Sequence, residues 1–284
     1  MKLIDMHVHT TTSDGSFTPS EVCRLAVKKD LAAIAITDHD TVDGIAEAFT
    51  YVKKTASPLE VIPGIELSSI YNGTEIHILG FYMDYTNPEL NKRLDEVKLA
   101  RLNRNLAMCS LFQKDGIDMT MEKLQAGHPD TVITRAHFAR VLMEEGICKT
   151  KDQAFQKYLN PNCKYYIPVP DMSSEEAIEL IAAYGKASFI AHPLLYHMSD
   201  SKIEEMIAYF ATKGLTGVEI YHSTTNSYDS SKLRRIAAKY NLLTSGGSDF
   251  HGVIKPDISI GSGRGDLRVT LQHLTNLKEY CGIK

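Results

Sequence analysis

Two histidines stand one residue apart near the start of the chain, in "MKLIDMHVHTTTSDGS": His7 and His9, with Asp14 five residues further on. Along a β-strand, residues two apart project to the same face. His7 and His9 can therefore aim two imidazoles at one point, with Asp5 beneath them as a partner for a ring N–H. A single histidine beside apolar residues is usually a satisfied core or edge residue, but here the theme recurs. His39 stands in "ITDHD", Glu66 in "PGIE", His77 in "EIHILGFY", His192 in "IAHP", His222 in "EIYHS", and Asp249 with His251 in "GGSDFH". Of 11 histidines, only His128, His137, His197 and His273 fall outside the series; unrelated histidines would not gather in this way. Imidazoles and carboxylates without cysteine suit Mn²⁺, Zn²⁺ or Fe²⁺. The set is too large for one ion and sufficient for two or three that share a bridging carboxylate. Closely spaced metals favour phosphoester hydrolysis, because they acidify a bridging water and clamp the attacking and leaving oxygens.

The elements that must position these groups are seven short apolar runs, at 3–8, 32–37, 59–66, 75–82, 187–192, 216–222 and 242–249. Nearly every run ends in one of the candidate ligands, which is how barrel strands present chemistry at their C-terminal face. His77 is the exception: it sits mid-run and reaches the others only if the fourth strand starts late. Between most runs lie amphipathic stretches with capping signals. Thr18-Pro19-Ser20-Glu21 reads as a capping box with proline at the first helical position. Ser173 or Ser174, Asp200 or Ser201, and Asp229 or Ser230 are the expected caps of three later helices, ended by Gly185, Gly214 and Asn241. Alternating strands and helices give an α/β chain with parallel βαβ units. Seven strands point to a closed or nearly closed barrel, with an open doubly wound sheet as the alternative. "LSSIYNGT" is too short for a crossover helix between the third and fourth strands. Residues 87–166 carry no strand signal and read as a helical insertion subdomain, leaving 1–86 and 167–284 as the barrel. Its long first helix shows Leu90, Leu94, Val97, Leu102, Leu106 and Leu111 at near-helical spacing.

The bulk properties exclude several classes. With 284 residues the chain can bury a large core, and a net charge of −4 argues against a broad nucleic-acid or membrane surface. A small anionic substrate therefore needs local help from metal ions or a few placed cations. No window approaches the roughly 18–20 apolar residues of a membrane span. The apolar start is broken at once by Asp5 and His7, unlike a signal peptide. Five scattered cysteines without a CxxC pair read as reduced thiols, so a cytoplasmic protein is expected, with no obligate protein partner.

Taken together, "DMHVHTTTSDG", "AITDHDTVDG", "PGIEL", "HILGF", "IAHP" and "GSDFH" resemble the motifs of the PHP (polymerase and histidinol phosphatase) phosphoesterases, in order, from residue 5 to 251. The resemblance implies a distorted (β/α)7 barrel and a trinuclear metal centre of divalent ions, manganese first, iron or zinc as alternatives. Carried over by motif, His7, His9, Glu66 and Asp249 would hold one ion. Asp14, His39 and His251 would hold a second, and Glu66, His77 and His192 a third, with Glu66 bridging and a metal-bridging hydroxide as nucleophile. "TRAHFAR" at 134–140 is similar to the subgroup acting on nucleotides, which removes the 3′-phosphate of nucleoside 3′,5′-bisphosphates or trims short RNA from its 5′ end. Arg135 would then grip phosphate through its planar fork, a solvated helix arginine being an equal alternative. His222 would bind phosphate or protonate the leaving oxygen, and Lys164 is a weaker second cation. Tyr165 and Tyr166 could stack a base, though packing suits both better. The expected partner is a small phosphorylated substrate, a nucleotide or a short RNA end. Two rivals remain: histidinol-phosphate phosphatase, against which the "TRAHFAR" insertion argues, and a regulatory metal-binding module without catalysis, disfavoured by a complete ligand set.

Overall fold

The computed structural model describes residues 2–168 and 172–284. In chain order its elements are β1 (Leu3–Val8), α1 (Pro19–Lys28), β2 (Leu31–Ile36), α2 (Ile45–Lys54), β3 (Glu60–Tyr71), β4 (Thr74–Phe81), α3 (Pro88–Lys114), α4 (Met121–Gln125), α5 (Arg135–Glu144) and α6 (Lys151–Ala154). A π-turn over Phe155–Leu159 follows. Then come α7 (Ser174–Tyr184), β5 (Ala187–Ile190), α8 (Asp200–Thr212), β6 (Gly217–His222), α9 (Ser227–Lys239), β7 (Leu243–Gly247) and α10 (Leu271–Cys281). The strands lie in one sheet in the order β1 to β7. Past the end of β7 the sheet returns to β1: the amide of Asp249 donates to the His7 carbonyl at 2.9 Å and that of His9 to the Phe250 carbonyl at 3.0 Å. The result is a nearly closed seven-stranded α/β barrel, not an open sheet.

Its interior is apolar because the inward residues of most strands are Ile, Met, Ala, Leu and Phe. Ile4, Met6, Ala33, Ala35, Ile62, Leu79 and Phe189 form one buried cluster. Val8, Ile34, Ile36 and Val61 instead join the helices in the larger cluster outside. The barrel departs from regular alternation at one point. β3 runs on to Tyr71 and turns back through Asn72 and Gly73, both at positive φ, into an antiparallel β4. That two-residue turn, with asparagine and glycine in the left-handed region, is the geometry a tight hairpin requires. β4 also pairs antiparallel with β5.

The hairpin corrects the expectation for His77. β4 starts at Thr74, not late. It runs against its neighbours, so its N-terminal end lies at the rim where the other strands finish. In the register, Ser68 faces His77 and Glu66 faces Leu79, which sets Glu66 and His77 diagonally on one face. Glu66 is consequently mid-strand, not terminal.

Two caps also differ from expectation. α8 is capped by Ser199, and α9 by Asn226, whose side chain accepts from the amides of Tyr228 and Asp229. Thr18 forms its capping box as expected, and of the two expected caps of α7 it is Ser173 that serves, also in a capping box. In α3, Leu90 and Leu94 are buried but Leu102 and Leu106 are exposed. The buried face there switches to Arg101, Arg104, Asn105, Met108, Cys109 and Phe112. The leucine periodicity misleads because the second half of α3 leaves the barrel wall for the core of the insertion helices. Phe112, Leu124, Phe138, Leu142, Leu159 and Tyr165 pack together in that core. Among the described residues, no helix is long and apolar enough to cross a membrane.

Candidate metal centre

Five imidazoles converge on one carboxylate. Glu66 is 1 % exposed. Its Oε2 lies 3.3 Å from His7 Nε2, 3.2 Å from His9 Nε2 and 3.2 Å from His39 Nδ1. Its Oε1 lies 2.9 Å from His77 Nδ1 and 3.0 Å from His192 Nε2. Asp249 Oδ1 stands 3.3 Å from His9 Nε2 and 3.4 Å from His251 Nδ1. Asp14 approaches His251 Nε2 at 3.1 Å and His39 Nε2 at 3.8 Å. Donor atoms come close enough to share an ion in three groups: His9, Asp14, His39 and His251; His7, His9 and Glu66; His39, Glu66 and His77. All nine residues named as metal ligands thus meet at the barrel mouth, contributed by six of the seven strands or the loops after them.

Several of the buried donors have no hydrogen bond of acceptable geometry: His7 Nε2, both ring nitrogens of His9, Asp14 Oδ1, His39 Nδ1 and His192 Nδ1. A buried polar atom left unpaired costs about 1–3 kcal/mol, so such a concentration at one point fits divalent cations as the missing partners.

The electrostatics divide the imidazoles. Burial pushes His39 and His251 down to about 3, against the pull of Glu66 and Asp14 on the one and Asp14 on the other. Both are neutral, with a lone pair to offer. Burial also opposes charge on His9 and His77. The nearby Asp249 and Glu66 carboxylates raise His9 to about 9, and the Glu66 charge raises His77 to about 10. Burial would push the Glu66 carboxyl up, but the charged rings around it, His7 and His77, hold it well below its usual range.

A further ring of groups orients these side chains. Asp5 does not meet an imidazole N–H as expected. It accepts from the amides of Ser248 and Gly261 at 2.8 and 2.7 Å and from the His7 amide at 3.3 Å, tying the seam between β1 and β7. The partner of the His7 ring is Glu219, 3.0 Å from Nδ1, which also accepts from the His192 amide at 2.8 Å. Asp38 accepts from the Thr10 amide and hydroxyl and the Ser13 hydroxyl, fixing the loop that carries Asp14. The Thr134 hydroxyl, at the N-cap of α5, donates to Asp14 Oδ2 at 2.9 Å. Arg101 of α3 pairs with Asp40 and donates to the Ser68 hydroxyl at 2.9 Å. Glu219 carried a sequence signal, as a charged residue inside the apolar run "TGVEIYH", whereas the roles of Thr134 and Arg101 depend on how the insertion docks.

The cluster opens into a cavity of about 200 Å³ whose wall includes Arg101, Arg135, Lys151 and Lys255. Arg135 is tied to Glu75 at 2.7 Å and lies over the ring of Tyr166, 5.6 Å from its centroid. Lys255 pairs with Asp249. Lys151, lowered to about 8 by burial and by Lys255, makes no ion pair among the described residues. His222 does not line the cavity. It stands behind Asp249, with Nε2 3.3 Å from Oδ2 and Nδ1 2.8 Å from the Thr224 hydroxyl. Lys164 lies away from the site: its side chain is 66 % exposed and paired with Asp115. Tyr165 is buried, stacked on Phe112 at 4.0 Å, and Tyr166 is half-buried under Arg135. The cations that replace Lys164 at the mouth, Lys151 and Lys255, had no local sequence signature.

A barrel that gathers imidazoles and carboxylates at its mouth, ringed by cations, defines a hydrolase of phosphate esters that works with divalent metals. The chain belongs to the PHP domain family, whose profile matches residues 5–223. It is 32 % identical to the 5′-3′ exoribonuclease Rnm of Escherichia coli strain K12, over 88 % of this chain and 85 % of that protein. It is 34 % identical to the 3′,5′-nucleoside bisphosphate phosphatase of Chromobacterium violaceum, over 88 % of each. Among solved structures, one given as an amidohydrolase from Chromobacterium violaceum, with bound sulfate, superposes with a TM-score of 0.85 at 31 % identity, covering 96 % of both chains. Another, from Bifidobacterium adolescentis and given as a candidate metal-dependent phosphoesterase, superposes with a TM-score of 0.84 at 30 % identity, covering 98 % of this chain and 96 % of that one.

Proposed function

We propose that this protein hydrolyses the ester at the 3′ oxygen of a small nucleotide, either a nucleoside 3′,5′-bisphosphate or the 5′-terminal residue of a short RNA. In both cases the bond broken lies between the 3′ oxygen and phosphorus. The two substrates differ only in whether that phosphorus also carries the next nucleotide. The observation that carries the reading is the convergence of nine metal-type ligands, five of them imidazoles around Glu66, on a cavity walled by arginine and lysine. The two nucleotide-acting relatives support the substrate class.

Three divalent ions, manganese first, are held in this reading by His7, His9, Glu66 and Asp249; by Asp14, His39 and His251; and by Glu66, His77 and His192. Bound there, they supply an activated water and charge neutralisation at phosphorus. Arg135 binds a phosphate oxygen through its fork, held in aim by Glu75 on one side and the Tyr166 ring below. Lys151 and Lys255 draw the anion to the mouth. His222 keeps Asp249 oriented from behind, and Glu219 does the same for His7. Arg101, Thr134, Arg135, Ala136, Lys151 and Phe155 of the insertion form part of the cavity wall. The protein acts without a membrane surface or obligate partner, in the cytoplasm.

The test is phosphate release from adenosine 3′,5′-bisphosphate and from histidinol phosphate side by side under manganese, with a 5′-phosphorylated trinucleotide assayed for mononucleotide release. The expected result is turnover of the nucleotides and little of histidinol phosphate. The opposite ranking, or no turnover of any substrate, overturns the reading.

A further inference from the structure

Across Lys151 from the metal-ligand cluster lies a second cavity, of about 310 Å³, between α5 and the turn that follows His251. Its floor is made by Ala136 and Ala139, one helical turn apart on α5, and its walls by Met143, Val253 and Ile254. Ala136 and Lys151 line both cavities, so the two adjoin. Val253 is 70 % exposed and Met143 40 %, and Val253 is only two residues beyond the ligand His251. Large apolar side chains held open to solvent beside a polar site mark a binding surface more often than chance exposure. The volume is at the lower end for small-molecule sites.

The polar residues on this wall are already occupied. Arg140 is paired with Glu144 at 2.7 Å and donates to the carbonyls of Lys123 and Leu124. The shelf therefore offers a flat apolar face and a thioether, with little to read the hydrogen-bonding edge of a ligand. Lys151, at the junction, places a cation between that face and the metal-type ligands.

We infer that the shelf of Ala136, Ala139, Met143, Val253 and Ile254 receives the nucleobase of the substrate. Lys151, which lines both cavities, meets the non-reacting 5′-phosphate of the same nucleotide. This rests on the nucleotide reading above and narrows it: the protein recognises the apolar face of a base and not its edge, so the four bases are accepted nearly alike. Contact with the face is indifferent to sequence because every base has one, while the methionine adapts to rings of different size.

The test compares kcat/KM for adenosine 3′,5′-bisphosphate with that for the same ribose bisphosphate carrying hydrogen in place of the base. The wild type is expected to prefer the base-bearing compound by about tenfold, mainly through KM, the equivalent of burying one modest apolar surface. In the double variant Met143→Ser/Val253→Ser, both changes at exposed positions, the ratio collapses towards one. In Met143→Leu/Val253→Ile it is restored. Lys151→Met raises KM for both compounds alike. A ratio near one in the wild type, or a ratio unchanged in the double variant, overturns the shelf while leaving the nucleotide reading intact. A preference of more than tenfold among the four bases overturns the claim that only the face is read. Failure of the wild type to turn over either compound removes the nucleotide reading and this inference with it.

Discussion

At His9 and His77 two effects oppose each other: burial disfavours a charged ring, and the neighbouring carboxylates favour it. The carboxylates win, raising these rings to about 9 and about 10. At His39 and His251 burial wins, holding both near 3. The consequence for cation binding follows from the sign of each shift. His39 and His251 are neutral throughout the working range and release nothing. His9 and His77 carry protons at pH 7 that a cation must expel. Metal affinity should therefore rise with pH, by about one to two logarithmic units per pH unit between pH 6 and 8, and flatten only as pH passes 10. Titration calorimetry with manganese in buffers of different ionisation enthalpy measures the protons released, and zero release at pH 7 would contradict the assignment. The histidines themselves were legible because metal chemistry demands particular side chains, and those stand out in apolar runs. Their protonation was not, because it depends on which carboxylate lies about 3 Å away, a fact of tertiary structure.

Elements supply what the single residues cannot. The seven strands were legible because apolar runs bounded by caps and turns encode them locally. The direction of β4 was not encoded in its own residues; it came from the two-residue turn at Asn72 and Gly73, and direction alone decides where His77 ends up. The insertion was legible as helices, but its docking was not. α5 is capped by Thr134, whose backbone amide donates to the ring of His137 in a capping box while its hydroxyl accepts from α5 amides and donates to Asp14. A helix start is thus wired to a metal-type ligand 120 residues away in sequence. Thr134→Val removes the cap and the Asp14 contact together. We expect about 1 kcal/mol less stability and metal affinity reduced about 10- to 100-fold, read by calorimetry and by metal content after dialysis. Thr134→Ser should keep both. Loss of stability with undiminished metal binding would show that the Asp14 contact orients nothing.

At the scale of the whole molecule, closing the barrel and assembling the site are one event. The seam between β1 and the end of β7 is where His7 and His9 face Asp249 and His251, and Asp5 beneath it bonds Ser248 and Gly261. The strands approach so closely there that a Cβ on Gly247 would lie 2.3 Å from the His7 Cβ and 2.4 Å from its backbone nitrogen. Both neighbours are fixed, one by the chain and the other by the Glu219 contact to the same ring, so neither can yield without moving a ligand. Gly247→Ala should cost at least about 1–3 kcal/mol, the usual penalty of overpacking. It should also lower the melting temperature and the manganese stoichiometry together, because the seam that opens carries donors for at least two of the three proposed ions. Calorimetric melting with and without manganese separates the outcomes. In the wild type the ion should raise the melting temperature by mass action, and in the variant that increment should shrink along with the starting value. A variant that melts earlier yet gains the full manganese increment would mean that the ligands assemble without the seam, and that barrel closure and metal binding are independent.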